Sequence, residues 1–414
     1  MYDQKSRLIA LVLMLLLLSS CGDSVPDPAP GSLITISSGG IVGFAHEHGT
    51  YAWKGIPYAA PPVNELRWRA PRAVIPWGDT LEATQFGSAC VQPPNITAGS
   101  NAPESEHSVG VEDCLTLNVF TPRAALQEGM QLPVMFWIHG GANILGSAQQ
   151  YDGARLASEQ NVVVVTINYR LGLLGWFRHE SLRATGDSAA DHSGNYGTLD
   201  IIAALQWVQD NITAFAGNPD RVTVFGESAG GRNTWSMVQS PLAKGLFHGA
   251  IVQSGTLKIM DPDKAEAISA EAPDYPSYQN NSAELVPKLV AGATELEPAA
   301  IANALRALPA DNIYHQLTAG SGDSYDQPRL FLDGHVFLEP ALKLFKDPSK
   351  YNSVPIITGT NRDEDKLFMM FNERWVDFRF GFLPRVKSME RYNKSAAYGA
   401  DTWRVFSVDK PAEV

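Results

Sequence analysis

The stretch NPDRVTVFGESAGGRNTWSMV, residues 218–238, constrains this chain more than any other. VTVF at 222–225 is apolar and β-branched and reads as a strand. GGRNTWSMV can form a helix. Between them the glycines of the frame G-x-S-x-G, Gly226 to Gly230, turn the chain sharply around Ser228. A strand–turn–helix of this kind is a nucleophile elbow, which holds a serine oxygen at the carboxyl edge of a sheet. The helix N-terminus beneath Ser228 adds a dipole that favours a developing oxyanion.

The surrounding pattern agrees. LITIS (33–37), VMFWI (134–138), VVVVTI (162–167), IVQS (251–254) and VPIIT (354–358) read as further strands. Several are apolar throughout, as parallel strands covered on both faces are. Helical patterns alternate with them: LDIIAALQWV, 199–208, places Ile201, Leu205 and Val208 on one face. The expected class is α/β, a mostly parallel central sheet with helices on both faces. From about 261 to 348 the chain turns helical, with Ile301, Leu305 and Leu308 on one stripe. That segment reads as an insertion between two sheet strands, either a cap or wall over a site or an insertion that serves packing alone. No internal repeat or heptad run interrupts this organisation.

An acyl-transfer site needs backbone N–H donors for the oxyanion. VMFWIHGGAN runs from a strand into His139-Gly140-Gly141-Ala142. Glycine turns of this kind expose backbone N–H groups, so Gly141, Ala142 and Ala229 are the expected donors. A serine hydroxyl also needs a base and an acid to orient it. Asp363, Glu364 and Asp365 follow the strand VPIIT, and spacing alone does not choose among them. No metal-ligand cluster is apparent, and no cofactor is implied.

Lys5 and Arg7 precede an apolar run, Leu8 to Leu18, too short to span a bilayer but suited to a signal peptide. LSSC at 18–21 resembles the lipobox of bacterial lipoproteins. The resemblance implies cleavage after residue 20, lipid on Cys21 and anchoring in the bacterial cell envelope, with residues 21–32 as a tether. Two cysteines then remain, Cys90 and Cys114, and one pair in an exported chain favours a disulfide. The net charge of −12 disfavours nucleic acid and anionic lipid surfaces as partners.

Many ordered motifs resemble the type B carboxylesterases, the cholinesterase-like branch of the α/β-hydrolases. They are WKGIPYAAPPVNELRW (53–68), EDCLTLNVFTP (112–122), NYRLGLLGW (168–176), GNYGTLD (194–200), NPDRVTVFGESAGG (218–231) and QSG (253–255). The resemblance runs from residue 33 to the end. It implies the α/β-hydrolase fold and hydrolysis of small carboxylic esters through an acyl-enzyme on Ser228. It selects Glu364 as the triad acid and gives Glu227 and Ser254 supporting roles. It makes the Cys90–Cys114 loop part of the pocket wall. Asp365, Arg232 and Asn233 depart from the family pattern, where glycine and small or apolar residues are usual, and are expected to change acyl-pocket polarity. All nine histidines precede Glu364, although the family order is Ser, acid, His. The expectation is therefore a chain cut short before the final strand and the histidine loop, and strongly impaired as written. The competing expectation is a non-catalytic, cholinesterase-like binding protein on the same scaffold.

Overall fold

The computed structural model describes residues 25–94, 105, 107–257, 259–267, 281–318 and 330–361, with the backbone of a short strand at Arg404–Phe406. Residues 1–20, Cys21, Asp363, Glu364 and Asp365 lie outside the described residues.

A small sheet of β1 (Ile34–Ile36), β2 (Gly39–Val42) and β5 (Leu81–Glu82) carries the first strands of the chain. Among the described residues the central sheet has nine strands. On one side β3 (Phe44–His46), β4 (Thr50–Pro57) and β6 (Thr116–Pro122) pair antiparallel, and β6 pairs antiparallel with β8 (Val163–Ile167). From β8 the order continues through β7 (Leu132–Ile138), β9 (Gly217–Glu227), β10 (Gly249–Gln253) and β13 (Ile356–Gly359), all parallel. The antiparallel β14 (Arg404–Phe406) follows β13. Every residue of β8 is buried, which explains why its sequence does not alternate. The expected strand at Val354 begins its ladder at Ile356. Pro355 has no N–H to donate, although its carbonyl still accepts from Ala250 N at 3.0 Å.

Helices cover the sheet. Helix α1 (Tyr196–Asn211) buries Ile201, Leu205 and Val208 completely. Its Asp200 forms a bidentate pair with Arg170, Nη2–Oδ1 2.6 Å and Nε–Oδ2 2.8 Å, and both side chains are buried. Helix α2 (Ala229–Gln239) leaves the elbow. Between β10 and β13 lie α3 (Ser282–Leu289), α4 (Pro298–Ala307) and α5 (Ala310–Thr318), with β11 (Ile259–Met260) paired to β12 (Leu330–Phe331). Leu285, Val286, Ile301, Leu305 and Tyr314 form a second core with Trp68 and Phe177, separate from the core under the sheet. Pro298 opens α4 at a position where its missing N–H costs nothing.

The disulfide joins Cys90 to Cys114, with Cα atoms 5.0 Å apart. Its loop is tied to the helical segment at two places. Arg67 pairs with Glu112 and donates Nη1 to carbonyls at the end of α4, Leu305 O at 3.2 Å and, one residue past the helix, Leu308 O at 2.5 Å. A cation there satisfies carbonyls that the helix cannot. Asp311 accepts from His107 N at 3.1 Å, from Ser108 Oγ at 2.9 Å and from Ser105 Oγ.

Candidate active site

Ser228 is the last residue before α2, at φ 58° and ψ −117°. Residues with side chains rarely occupy this region, and holding one there costs on the order of 1–3 kcal/mol. Two bonds fix it. Ser228 N donates to Gln253 O at 2.9 Å on β10, and Ser228 O accepts the first helical bond from Arg232 N at 2.9 Å. The turn is this tight because α2 lies directly on β7: a Cβ on Gly230 would sit 2.0 Å from Ile138 O. Only glycine permits that approach.

The glycine turn His139–Ala142 leaves the carboxyl end of β7, the strand beside β9. Gly141, Ala142 and Asn143 have φ of 99°, 59° and 62° in succession. A Cβ placed on Gly140 would lie 3.5 Å from Ser228 Cβ and 2.8 Å from Glu227 O. The turn therefore rests against the elbow, with Gly141 and Ala142 on one side and Ala229 at the first position of α2.

Buried polar side chains hold this turn. His139 Nδ1 donates to Gly140 O at 2.8 Å, and its ring stacks on Tyr169 with centroids 4.4 Å apart. Burial pushes the His139 imidazole down to about 4, so it is neutral near pH 7. The Tyr169 hydroxyl donates to His139 O at 2.6 Å. Gly140 hydrogen-bonds the Tyr151 hydroxyl, whose ionisation is suppressed by burial and then by the charge of Glu227. On the far side, Gln92 Oε1 accepts from Gly146 N at 2.9 Å while its Nε2 donates to Gly146 O and Cys90 O. The turn is thereby fastened to the disulfide loop.

Ser228, Ala229, Glu227, Gly141, Ala142 and Ser254 all gather at the carboxyl ends of β7, β9 and β10. Ser254 has φ 53° and donates N–H to Gly359 O at 2.8 Å, so the end of β13 lies beside it. Glu364 is five residues beyond Gly359, outside the described residues. Asn233 bonds Asn143, the residue after Ala142. Arg232 reaches Thr256 Oγ1 at 3.2 Å, on the segment after β10. Tyr151, Tyr169, Gln92 and Asn143 were not expected from sequence; each acts through contacts with residues distant in the chain.

The other histidines have contacts elsewhere. His46 meets Asp152 at 2.6 Å, His107 packs on His315, His192 bonds Gly186 O and His248 bonds Val222 N. Ser228 thus stands at the head of α2 beside the Gly140–Ala142 turn.

A family profile described as the carboxylesterase family matches residues 30–394. The chain belongs to that family. It is 36% identical to an acylcarnitine hydrolase of Mus musculus, over 85% of this chain and 59% of that protein. It is 38% identical to a para-nitrobenzyl esterase of Bacillus subtilis, over 81% of this chain and 63% of that protein. A solved structure of a PNB esterase superposes with a TM-score of 0.67 at 34% identity, covering 82% of this chain and 64% of the other. A carboxylesterase of Geobacillus stearothermophilus gives 0.67 at 32%, covering 88% and 69%. The fold is the α/β-hydrolase fold of these carboxylesterases. The chain spans about three-fifths of the length of the curated relatives it matches.

Proposed function

We propose that this carboxylesterase hydrolyses small carboxylic esters through an acyl-enzyme on Ser228. The observation that carries the reading is the strained Ser228 turn lodged against the Gly140–Ala142 turn. In the first half-reaction Ser228 Oγ attacks the ester carbonyl, its proton passes to a base, and the C=O electrons move onto oxygen. The N–H groups of Gly141, Ala142 and Ala229 stabilise that oxyanion. Collapse expels the alcohol, which takes the proton. Water then repeats the sequence and releases the acid. Glu364 is the proposed acid of the triad. Glu227 and Ser254 are proposed as supports beneath the elbow. His139 is a poor choice of base, because its Nδ1 is spent on Gly140 O and burial holds its basicity far below the imidazole norm.

The test is hydrolysis of a nitrophenyl ester by the full-length protein and its Ser228→Ala variant. Loss of the nucleophile is expected to lower kcat by about 10⁶. Parent-level turnover by Ser228→Ala would overturn the assignment. We further propose export and lipid anchoring at Cys21, from the LSSC frame behind a basic, apolar leader. N-terminal mass spectrometry of membrane-derived protein is expected to find a diacylglyceryl cysteine; soluble protein retaining Met1 would refute it.

A further inference from the structure

The oxyanion turn and the nucleophile helix are joined by two carboxamides that the proposed reaction does not consume. Asn143 closes the turn directly after Ala142. Asn233 lies on α2, five residues after Ser228. Asn233 Nδ2 donates to Asn143 Oδ1 at 2.9 Å, and Asn143 Nδ2 faces Asn233 Oδ1 at 3.5 Å. Neither residue has any solvent exposure. The backbone of Asn143 is left-handed, φ 62°, a conformation asparagine tolerates better than most residues with a side chain. Its carbonyl accepts from Gly172 N at 2.7 Å. Asn233 also hydrogen-bonds the Tyr169 hydroxyl, and that hydroxyl holds His139 O. One side chain on α2 therefore grips both ends of the segment from His139 to Asn143.

We infer that Asn143 and Asn233 are positioning residues whose amide pair sets the distance between the oxyanion turn and the Ser228 helix. The chemistry of the pair suits that task. Each amide supplies both a donor and an acceptor without charge. An apolar pair would fill the space but fix no separation, because dispersion is non-directional. One apolar partner would strand the other amide in a dry interior. An aspartate would bury a charge. The separation matters because oxyanion donors act only within about 2.7–3.1 Å of the developing charge. The inference rests on Ser228 being the nucleophile.

The experiment compares Asn233→Ala, Asn143→Gly and the double variant in the full-length protein. Asn143→Gly removes the amide but keeps the left-handed backbone accessible. Rates on a nitrophenyl ester are divided by the fraction of sites titrated with an organophosphonate, so misfolded protein does not count. Each single variant is expected to lose about 10- to 100-fold in kcat, the scale of a 1 Å misplacement, while KM stays within about threefold. The double variant is expected to be no worse than the poorer single, because the pair acts as one unit. A kcat within twofold of the parent in the folded single variants would overturn the inference, as would losses that multiply in the double. Should Asn233→Ala fail to fold, Asn233→Ser, which keeps a donor for Tyr169, is read against the same outcomes. Ser228→Ala is assayed alongside. Parent-level activity there overturns the nucleophile and this inference with it; its silence, with Asn variants at parent kcat, overturns the inference alone.

Discussion

At the scale of single residues, burial decides the charge state of His139. Its imidazole is buried against Tyr169 and held neutral, with burial pulling it from the ordinary 6.5 down to about 4. The unfolded chain takes up a proton on this group between those values and the folded chain does not. Stability from this group is therefore complete above pH 6.5 and falls as pH drops toward 4, by roughly 3 kcal/mol in all. Denaturant unfolding at pH 7, 5.5 and 4.5 is expected to show this loss in the parent and a shallower slope in His139→Gln. Equal slopes would remove His139 from the acid sensitivity. Residues proposed to carry chemistry from a fixed local frame stood out in the sequence: Ser228 between its glycines, and Gly141 and Ala142 after a strand. Asn143, Tyr169 and Gln92 did not, because their partners lie 90, 30 and 54 residues away. No local pattern marks such a contact. Asn233 stood out as a departure, but its contact with Asn143 depends on how α2 lies on β7.

At the scale of elements, the buried parallel strands announced themselves as β-branched runs, and β7, β8, β9, β10 and β13 all fall where such runs occur. The antiparallel strands β3, β4 and β6 were missed. β3 is only three residues long, and β4, TYAWKGIP, carries glycine and proline and pairs irregularly with β6 between Trp53 and Ile56. The contact of α2 with β7 is the element-level feature on which the elbow depends. Gly230→Ala would gain up to about 1 kcal/mol of helix propensity. The added methyl, however, meets Ile138 O at 2.0 Å, an overlap that forces helix and strand apart. Overpacking of this kind costs about 1–3 kcal/mol or more, so the clash wins. Thermal unfolding is expected to show a lowered midpoint for Gly230→Ala, together with a large loss of turnover. Gly78→Ala, where a Cβ meets open space, is expected to stay within about 0.5 kcal/mol of the parent. Equal behaviour of the two variants would show that the α2–β7 contact is not tight.

At the scale of the whole molecule, three distant parts of the chain converge on one edge of the sheet. The disulfide loop reaches the oxyanion turn through Gln92, the helical segment reaches the disulfide loop through Arg67 and Asp311, and β13 closes beside Ser254. The second core under α3, α4 and α5 packs the helical segment against Trp68 and Phe177. The central claim is that this convergence serves an activated Ser228. It is tested most directly by treating the full-length protein with a fluorophosphonate, digesting it and locating the adduct by mass spectrometry. One adduct is expected, on Ser228, appearing in step with loss of ester hydrolysis and absent from Ser228→Ala. An adduct elsewhere that tracks the loss of activity, or labelling that persists in Ser228→Ala, would contradict it.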